Sequence, residues 1–160
     1  MKDICCIGHI TLDKIVTPKQ TTYMAGGTSF YFSHAISRLK DCKHYKLVTA
    51  LAESEYQSAE DIRALGIDVK IIPSRKTVYF ENIYGDNPDE RSQRVLAKAD
   101  PFTIENLGEI EANIYHLGTL LADDFSLEVI KHLSTKGILS ADAQGYLREV
   151  RGEQVHAIDW

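Results

Sequence analysis

Residues 4–13, which read ICCIGHITLD, decide the fold of this chain. The first seven are a short apolar run interrupted by Gly8, and such a run predicts a buried strand that ends at a turn. Asp13 follows just past that strand, in the region where open α/β sheets bind ligands. A carboxylate there can accept hydrogen bonds from two hydroxyls, which suits a polyol. The alternative is an ordinary aspartate of a turn or an edge strand.

Short apolar runs continue to alternate with helical patterns along the chain. Further strands are predicted at residues 46–51, 69–72, 114–117 and 138–141. Because strands and helices alternate, we expect an α/β fold with a mostly parallel sheet flanked by helices on both faces.

Three helices are predicted between those strands. The first begins at Gly26-Gly27 and places one apolar stripe against the sheet. The second begins with the capping-box pattern of residues 54–57 and ends at Gly66. The third is capped by Asp123 or Asp124 and ends at Gly137. The residues of the two apolar faces are Phe32, Ala35, Ile36 and Leu39 in the first helix, and Phe125, Val129, Ile130 and Leu133 in the third.

The middle of the chain has a different pattern. Residues 77–84 are rich in β-formers, residues 85–90 form a strong turn signal, and residues 91–97 read as a polar return strand. Together with residues 15–25, this hairpin predicts a small β-subdomain that projects as a lid beside the strand ends. Pairing across the turn sets Glu81 opposite Arg94, so a cross-strand ion pair is expected there.

Composition excludes several classes of protein. The 160 residues carry a net charge of −5, with 44% hydrophobic and 26% charged residues, which is typical of one globular domain. An acidic balance argues against nucleic acid and anionic membranes as partners. The apolar runs are too short to span a membrane, and no signal-peptide pattern is present. The three cysteines, at positions 5, 6 and 42, lack CxxC spacing, so we expect reduced thiols and a cytoplasmic location.

Motifs of other chemistries do not occur. The six histidines show no HExxH or paired metal spacing, and the chain has neither a GxGxxG nor a Walker-type phosphate loop. The pair Gly26-Gly27 before a helix is commonly a plain turn, but it also lets backbone N–H groups approach a ligand closely.

Two segments taken together resemble the start of the ribokinase/PfkB family of carbohydrate kinases. They are residues 7–13, IGHITLD, and residues 24–31, MAGGTSFY. That family opens with a strand, a glycine and a substrate aspartate, followed by a lid excursion and a Gly-Gly pair that begins the first long helix. The similarity continues through residues 46–52, 65–68, 77–84 and 138–145, so it covers essentially the whole chain.

The resemblance implies a substrate site. Asp13 would bind sugar hydroxyls, and Gly26 and Gly27 would let the backbone approach the sugar. Thr11, Thr28 and Tyr31 would line the pocket, although ribokinases proper carry Asn, Lys and Asn at these three places, which argues against ribose itself. The lid hairpin would cover the pocket, with Tyr79, Glu81 or Arg94 as candidate contacts, and lids of this family commonly pair between subunits, so a homodimer is expected.

The resemblance also implies that the fold is incomplete at its C-terminus. Residues 1–160 would be the N-terminal, substrate-side part of a single ribokinase-like domain, with lid segments at about 15–25 and 77–97. The family's late Gly-Ala-Gly-Asp motif, which supplies the general base and an anion hole, has no counterpart here. No catalytic, cofactor-binding or metal-ligating residue is therefore assigned, and ATP and Mg2+ would be bound mainly by residues absent from this chain.

Three functions remain open at this point. The first is an ATP-dependent sugar kinase, with this chain inactive by itself. The second is a nucleoside kinase of the same fold, because an aromatic ring at Tyr31 could stack on a base. The third is a truncated sugar-binding or dimerisation module without catalysis.

Overall fold

The computed structural model describes residues 1–39 and 43–159, so Cys42 lies outside the described residues. Along this part the chain forms strands and helices in the following order: β1 (Lys2–Gly8), β2 (Thr11–Val16), β3 (Thr21–Gly26), α1 (Thr28–Ile36), β4 (Tyr45–Leu51), α2 (Tyr56–Ala64), β5 (Asp68–Pro73), β6 (Val78–Tyr84), β7 (Arg91–Ala97), α3 (Ile104–Leu107), β8 (Ala112–Gly118), α4 (Leu127–Ser134), β9 (Ile138–Ala141), β10 (Arg148–Arg151) and β11 (Gln154–Ala157).

Five of the strands form a parallel sheet, which we call sheet A. Its order is β5-β4-β1-β8-β9, and every pair of neighbours runs parallel. Each strand lies within a few residues of its predicted position. The expected α/β class is thus confirmed, and all carboxyl ends of the strands lie at one edge of the sheet.

The two faces of sheet A carry separate parts of the core. Successive side chains of a strand point to opposite faces, so Cys5 packs in the cluster that includes α4, and Cys6 packs in the cluster that includes α2. Burial raises the pKa of each thiol to about 12. Both cysteines are therefore protonated residues of the core.

The other six strands form sheet B, in the order β10-β11-β7-β6-β2-β3. The predicted hairpin is present, because β6 and β7 pair antiparallel and Glu81 lies opposite Arg94. Sheet B is wider than the predicted segments, since it also includes residues 11–14 of β2 and the hairpin of β10 and β11. Those last two strands were not predicted, because four-residue strands of mixed polarity carry little periodic signal.

A third apolar cluster joins sheet B to the body. Phe80 and Val95 of sheet B pack against Leu120 and Leu121, which follow β8 at the carboxyl edge of sheet A. The face of sheet B that carries Phe80 is consequently held over the ends of β1 and β8. This packing creates the cleft described below.

The predicted apolar stripe of the first helix is partly wrong. Phe32 and Ile36 do pack against the core. Ala35 is exposed, and Leu39 lies beyond the end of α1 and is 60% exposed.

Two serines are instead the fully buried residues of α1. Ser29 and Ser33 occupy the innermost positions, and Ser33 shares a hydrogen bond of 2.8 Å with the Tyr45 hydroxyl. Small residues are needed there because the helix lies close to Gly8: a Cβ added to that glycine would be 3.1 Å from the Ser29 Cβ.

Both predicted side-chain caps are also wrong. No side chain caps α2, and the Ser54 hydroxyl donates to Glu55 instead. Helix α4 begins after Ser126, whose hydroxyl accepts from the Val129 N–H, because Asp124 is engaged elsewhere. In the described ranges no helix is long and apolar enough to cross a membrane.

Candidate active site

A cleft of about 160 Å³ lies between the carboxyl edge of sheet A and the inner face of sheet B. It gathers residues from strands β2, β6, β7 and β10, from the start of α1, and from the segments after β8 and β9. Its lining residues are Thr11, Asp13, Gly27, Thr28, Tyr31, Phe80, Asn82, Arg91, Gln93, Leu120, Gln144 and Arg148. Five of the six residues that the sequence predicts for a substrate site therefore line one cleft, and the sixth, Gly26, lies directly beneath Asp13.

Asp13 is the carboxylate of this cleft. It stands on β2, and its Oδ1 accepts a hydrogen bond of 2.7 Å from the Thr11 hydroxyl. Burial raises the pKa of Asp13, against the lowering effects of Thr11 and of two arginines, Arg91 and Arg148. Within the described ranges its Oδ2 makes no hydrogen bond, so the carboxylate is partly desolvated and still has acceptor capacity for a ligand.

The two glycines have different structural roles. A Cβ on Gly26 would collide with Asp13 Oδ2 and lie 3.0 Å from its Cγ, so the absence of a side chain leaves room for the carboxylate. Gly27 has φ +94° and ψ 154°, a backbone conformation that essentially only glycine adopts. A Cβ there would also lie 2.6 Å from the carbonyl oxygen of His9.

Thr28, the first residue of α1, presents a polar atom without a partner. Its Oγ1 is buried and has no hydrogen bond within the part of the chain that the structure describes. It lies close above Gly118, where an added Cβ would be 2.9 Å away. A buried hydroxyl without a partner costs free energy, so Thr28 has an unused donor and acceptor at the wall of the cleft.

Tyr31 lies at the mouth of the cleft. It is 54% exposed and makes an edge-to-face contact with Phe30, at 5.5 Å between ring centroids. Burial raises the pKa of its hydroxyl, and the negative charge of Asp13 acts in the same direction. The ring is available to cover a ligand that occupies the cleft.

Asp124 fixes the loop that forms the floor. Its Oδ2 accepts from the backbone N–H groups of Leu120 and Leu121, at 2.7 and 3.0 Å. The same carboxylate lies 4.0 Å from the Nε2 of His9, a buried ring that stacks on Phe102. Asp124 therefore positions the loop rather than capping a helix.

Sequence reasoning missed one wall of the cleft. Asn82 and Gln93 lie opposite each other on β6 and β7, and the Gln93 amide donates to Asn82 at 2.8 Å. Gln144 follows β9 at the carboxyl edge of sheet A, where the rule for ligand sites of α/β folds could have identified it. No such signal marked Arg91 and Arg148, because β7 and β10 reach the cleft through the long-range strand pairing of sheet B.

The three lid candidates lie outside the cleft. Tyr79, Glu81 and Arg94 alternate with the cleft residues Phe80, Asn82 and Gln93, so they belong to the other face of sheet B. There Glu81 accepts from Lys14 at 2.8 Å and from Arg94 at 2.9 Å. The alternative interpretation, a cross-strand ion pair, is confirmed.

Replacing Gly26 by Ala should weaken ligand binding without much loss of stability. The new Cβ would displace the end of the Asp13 side chain, which can rotate, rather than rigid backbone. We expect affinity for a polyol to fall about tenfold or more, as one charge-assisted hydrogen bond is misplaced. The free energy of unfolding should change by less than about 1 kcal/mol.

Calorimetric titration measures the affinity, and denaturant unfolding measures the stability. Gly85→Ala is the control, because no atom lies within 4 Å of a Cβ added at that position. Equal affinities of Gly26→Ala and Gly85→Ala would contradict this role.

The fold and the site together define a class of protein. A parallel sheet with the order β5-β4-β1-β8-β9, covered at its carboxyl edge by a second sheet, is the ribokinase-like fold. No family model matches the sequence, and no curated protein matches it.

Solved structures that resemble this chain are kinases of the ribokinase family. A sulfate complex of a pyrophosphate-dependent kinase in that family is 30% identical, with a TM-score of 0.83 over 98% of this chain and 56% of the other. A pyrophosphate-dependent kinase in the same family, complexed with a pyrophosphate analog and myo-inositol, is 28% identical, with a TM-score of 0.81 over 98% and 55%. A fructokinase from Xylella fastidiosa is 21% identical, with a TM-score of 0.69 over 88% and 50%.

The predicted resemblance is thereby confirmed at the level of the fold. The chain spans about half the length of the solved structures it matches.

Proposed function

We propose that this cleft binds a sugar or a cyclic polyol, and that the protein is a kinase that phosphorylates one of its hydroxyl groups. The observation that carries the proposal is the state of Asp13: a partly desolvated carboxylate with an unused oxygen, facing a cleft at the carboxyl edge of the sheet. Thr28, whose buried Oγ1 has no hydrogen-bond partner among the described residues, lines the same cleft and is the second polar group that we assign to the ligand. Alcohol groups satisfy both, since each can donate to the carboxylate and exchange a hydrogen bond with the threonine.

The size of the cleft favours a small acceptor. Its volume of about 160 Å³ is below the range of about 300–1,000 Å³ that is usual for drug-sized ligands. A monosaccharide or cyclitol is a better match than a nucleoside, which is the alternative. If the ligand were a nucleoside, the Tyr31 ring would stack on its base. The same ring, at the mouth of the cleft, could equally cover a bound polyol.

Sheet B supports the role of a lid. Its inner face carries Phe80 and Asn82 over the cleft, which would exclude water from a bound acceptor. Its outer edge is β3, where Tyr23 is 61% and Met24 46% exposed. These exposed side chains on an open edge support the proposed homodimer through the lid.

Two phosphoryl donors, ATP and pyrophosphate, are compatible with a kinase of this fold. The family resemblance favours Mg·ATP, whereas two of the similar solved structures are named as pyrophosphate-dependent kinases. The described residues contain no cluster of His, Cys, Asp or Glu side chains that could hold a metal ion. We therefore assign no described residue as a magnesium ligand.

A phosphoryl-transfer assay tests this proposal. This chain and a form extended through the second half of the fold would each be incubated with ATP or pyrophosphate and a panel of sugars, cyclitols and nucleosides. We expect acceptor-dependent turnover only in the extended form, because positioning and charge stabilisation of the transferred group need residues beyond the cleft. Turnover with nucleosides alone would favour the second candidate, and binding of sugars without any turnover would favour a non-catalytic module. Acceptor-dependent turnover by residues 1–160 alone would show that the catalytic centre lies within this chain.

A further inference from the structure

Two arginines of the cleft lack a carboxylate partner. Arg91 begins β7 and Arg148 begins β10, and both line the cleft. Within the described ranges neither makes an ion pair. Four other arginines each pair with a carboxylate: Arg63, Arg75, Arg94 and Arg151. Neither cleft arginine is therefore neutralised by a direct ion pair with a described residue, although Asp13 interacts with both at longer range.

Arg148 is held in place without being neutralised. With its amide oxygen turned toward the guanidinium, Gln144 accepts from both terminal nitrogens of Arg148, at 2.8 and 3.1 Å. Burial lowers the pKa of Arg148 and the charge of Arg91 lowers it further, whereas Asp142 and Asp13 raise it. A neutral amide fixes the direction of the guanidinium and leaves its positive charge for another partner.

The register of sheet B places Arg91 at a different level of the cleft from Asp13. Asp13 pairs with Phe80, while Arg91 pairs with Tyr84, four residues farther along β6. An open depression that continues from the cleft at this point is lined by Arg91, Arg148, Gln144 and Asp142 among others. Polyol hydroxyls and a negatively charged group could therefore be bound at the same time.

We propose that Arg91 and Arg148 form an oxyanion subsite of the cleft, which binds a phosphate or carboxylate group. After burial, the charge of Arg91 has the largest effect on the pKa of Arg148, and it lowers that pKa more than either Asp142 or Asp13 raises it. An oxyanion between the two guanidinium groups relieves this repulsion and accepts bidentate hydrogen bonds. The oxyanion has two possible sources, an anionic substituent on the acceptor or the pyrophosphate donor. The inference deepens the proposed function, since both sources presuppose phosphoryl transfer to a polyol.

Calorimetric titration of the chain with three probes tests the subsite. The probes are fructose, fructose 6-phosphate and pyrophosphate, titrated into the wild type, Arg91→Gln, Arg148→Gln and the double variant. Arg151→Gln is the matched control, because Arg151 lies on the same strand as Arg148 but pairs with Glu149 at the surface. Thermal unfolding verifies that each variant is folded. If Arg148→Gln does not fold, Arg91→Gln still tests the subsite, because Arg91 is exposed and its replacement should leave the fold intact.

We expect the wild type to bind at least one of the two anions, and the double variant to bind it about tenfold to a hundredfold more weakly. The affinity for fructose and the behaviour of Arg151→Gln should not change. A loss confined to fructose 6-phosphate identifies an anionic acceptor, and a loss confined to pyrophosphate identifies the donor.

Failure of the inference and failure of the proposed function give different results. The subsite is overturned if neither anion binds, or if the arginine variants bind both anions as tightly as the wild type. The proposed function fails instead if anions bind in an arginine-dependent way but no polyol binds through Asp13.

Discussion

Asp13→Asn should abolish measurable binding of the polyol acceptor. An asparagine keeps the oxygen that accepts from Thr11 but removes the charge and one acceptor, so two charge-assisted hydrogen bonds to hydroxyls are lost or weakened. At about 1.5–3 kcal/mol each, the loss amounts to about a hundredfold to ten-thousandfold in affinity. In an extended, active form, the same factor should appear in kcat/KM for the acceptor.

A stability measurement separates this effect from misfolding. Because burial raises the pKa of Asp13, the charged carboxylate is disfavoured in the folded state, and its cost is present above the folded pKa and relieved as pH falls through it. Asp13→Asn should therefore unfold at pH 7 with a free energy equal to or greater than that of the wild type. Asp86→Asn, in the exposed turn, is the control and should bind like the wild type. A variant that unfolds at lower denaturant concentration and binds normally would contradict the assignment.

The same pKa shift predicts a pH dependence. Acceptor affinity of the wild type should decrease as Asp13 becomes protonated, at a pH above 3.8, the ordinary value for an aspartate. Titration of binding against pH measures this midpoint, and a midpoint at or below the ordinary value would contradict the desolvation argument.

Gly27→Ala should cause the largest loss of stability among the glycine substitutions at this edge. Its backbone conformation costs about 1–3 kcal/mol for any other residue, and the new Cβ would lie 2.6 Å from the His9 carbonyl oxygen, which is rigid backbone. We expect a loss of about 3 kcal/mol or more, equivalent to a decrease of about 6–12 °C in Tm for a chain of this length.

Two other glycines divide this cost into its parts. Gly152 has φ +62° but no atom within 4 Å, so Gly152→Ala measures the cost of a positive φ without a steric contact. Gly85 has neither constraint, and Gly85→Ala should change Tm little. The expected order of destabilisation is Gly27, then Gly152, then Gly85. An unfolding midpoint for Gly27→Ala that matches Gly85→Ala would show that the turn before α1 can relax.

Local patterns were sufficient to predict sheet A, because each of its strands is a short apolar run and buried parallel strands are apolar on both faces. The hairpin of β6 and β7 was predictable for a similar reason, since a strong turn separates two β-rich segments. The burial of α1 was not predictable in this way. Its innermost residues are Ser29, which lies close to Gly8 and Gly118, and Ser33, which shares a hydrogen bond with the Tyr45 hydroxyl. Hydrophobic periodicity does not detect small polar residues such as these.

For the site, the resemblance carried by residues 7–13 and 24–31 predicted the contributions of β2 and the start of α1, because Asp13 and Gly26-Gly27 belong to those two local segments. Tertiary structure alone decided the opposite wall. Asn82, Gln93, Arg91 and Arg148 reach the cleft only because sheet B folds over Leu120 and Leu121 and pairs β7 with β11. Long-range strand register decides which face of a strand lines the cleft. A register shift of one residue would have placed Glu81 and Arg94 in the cleft instead of Asn82 and Gln93.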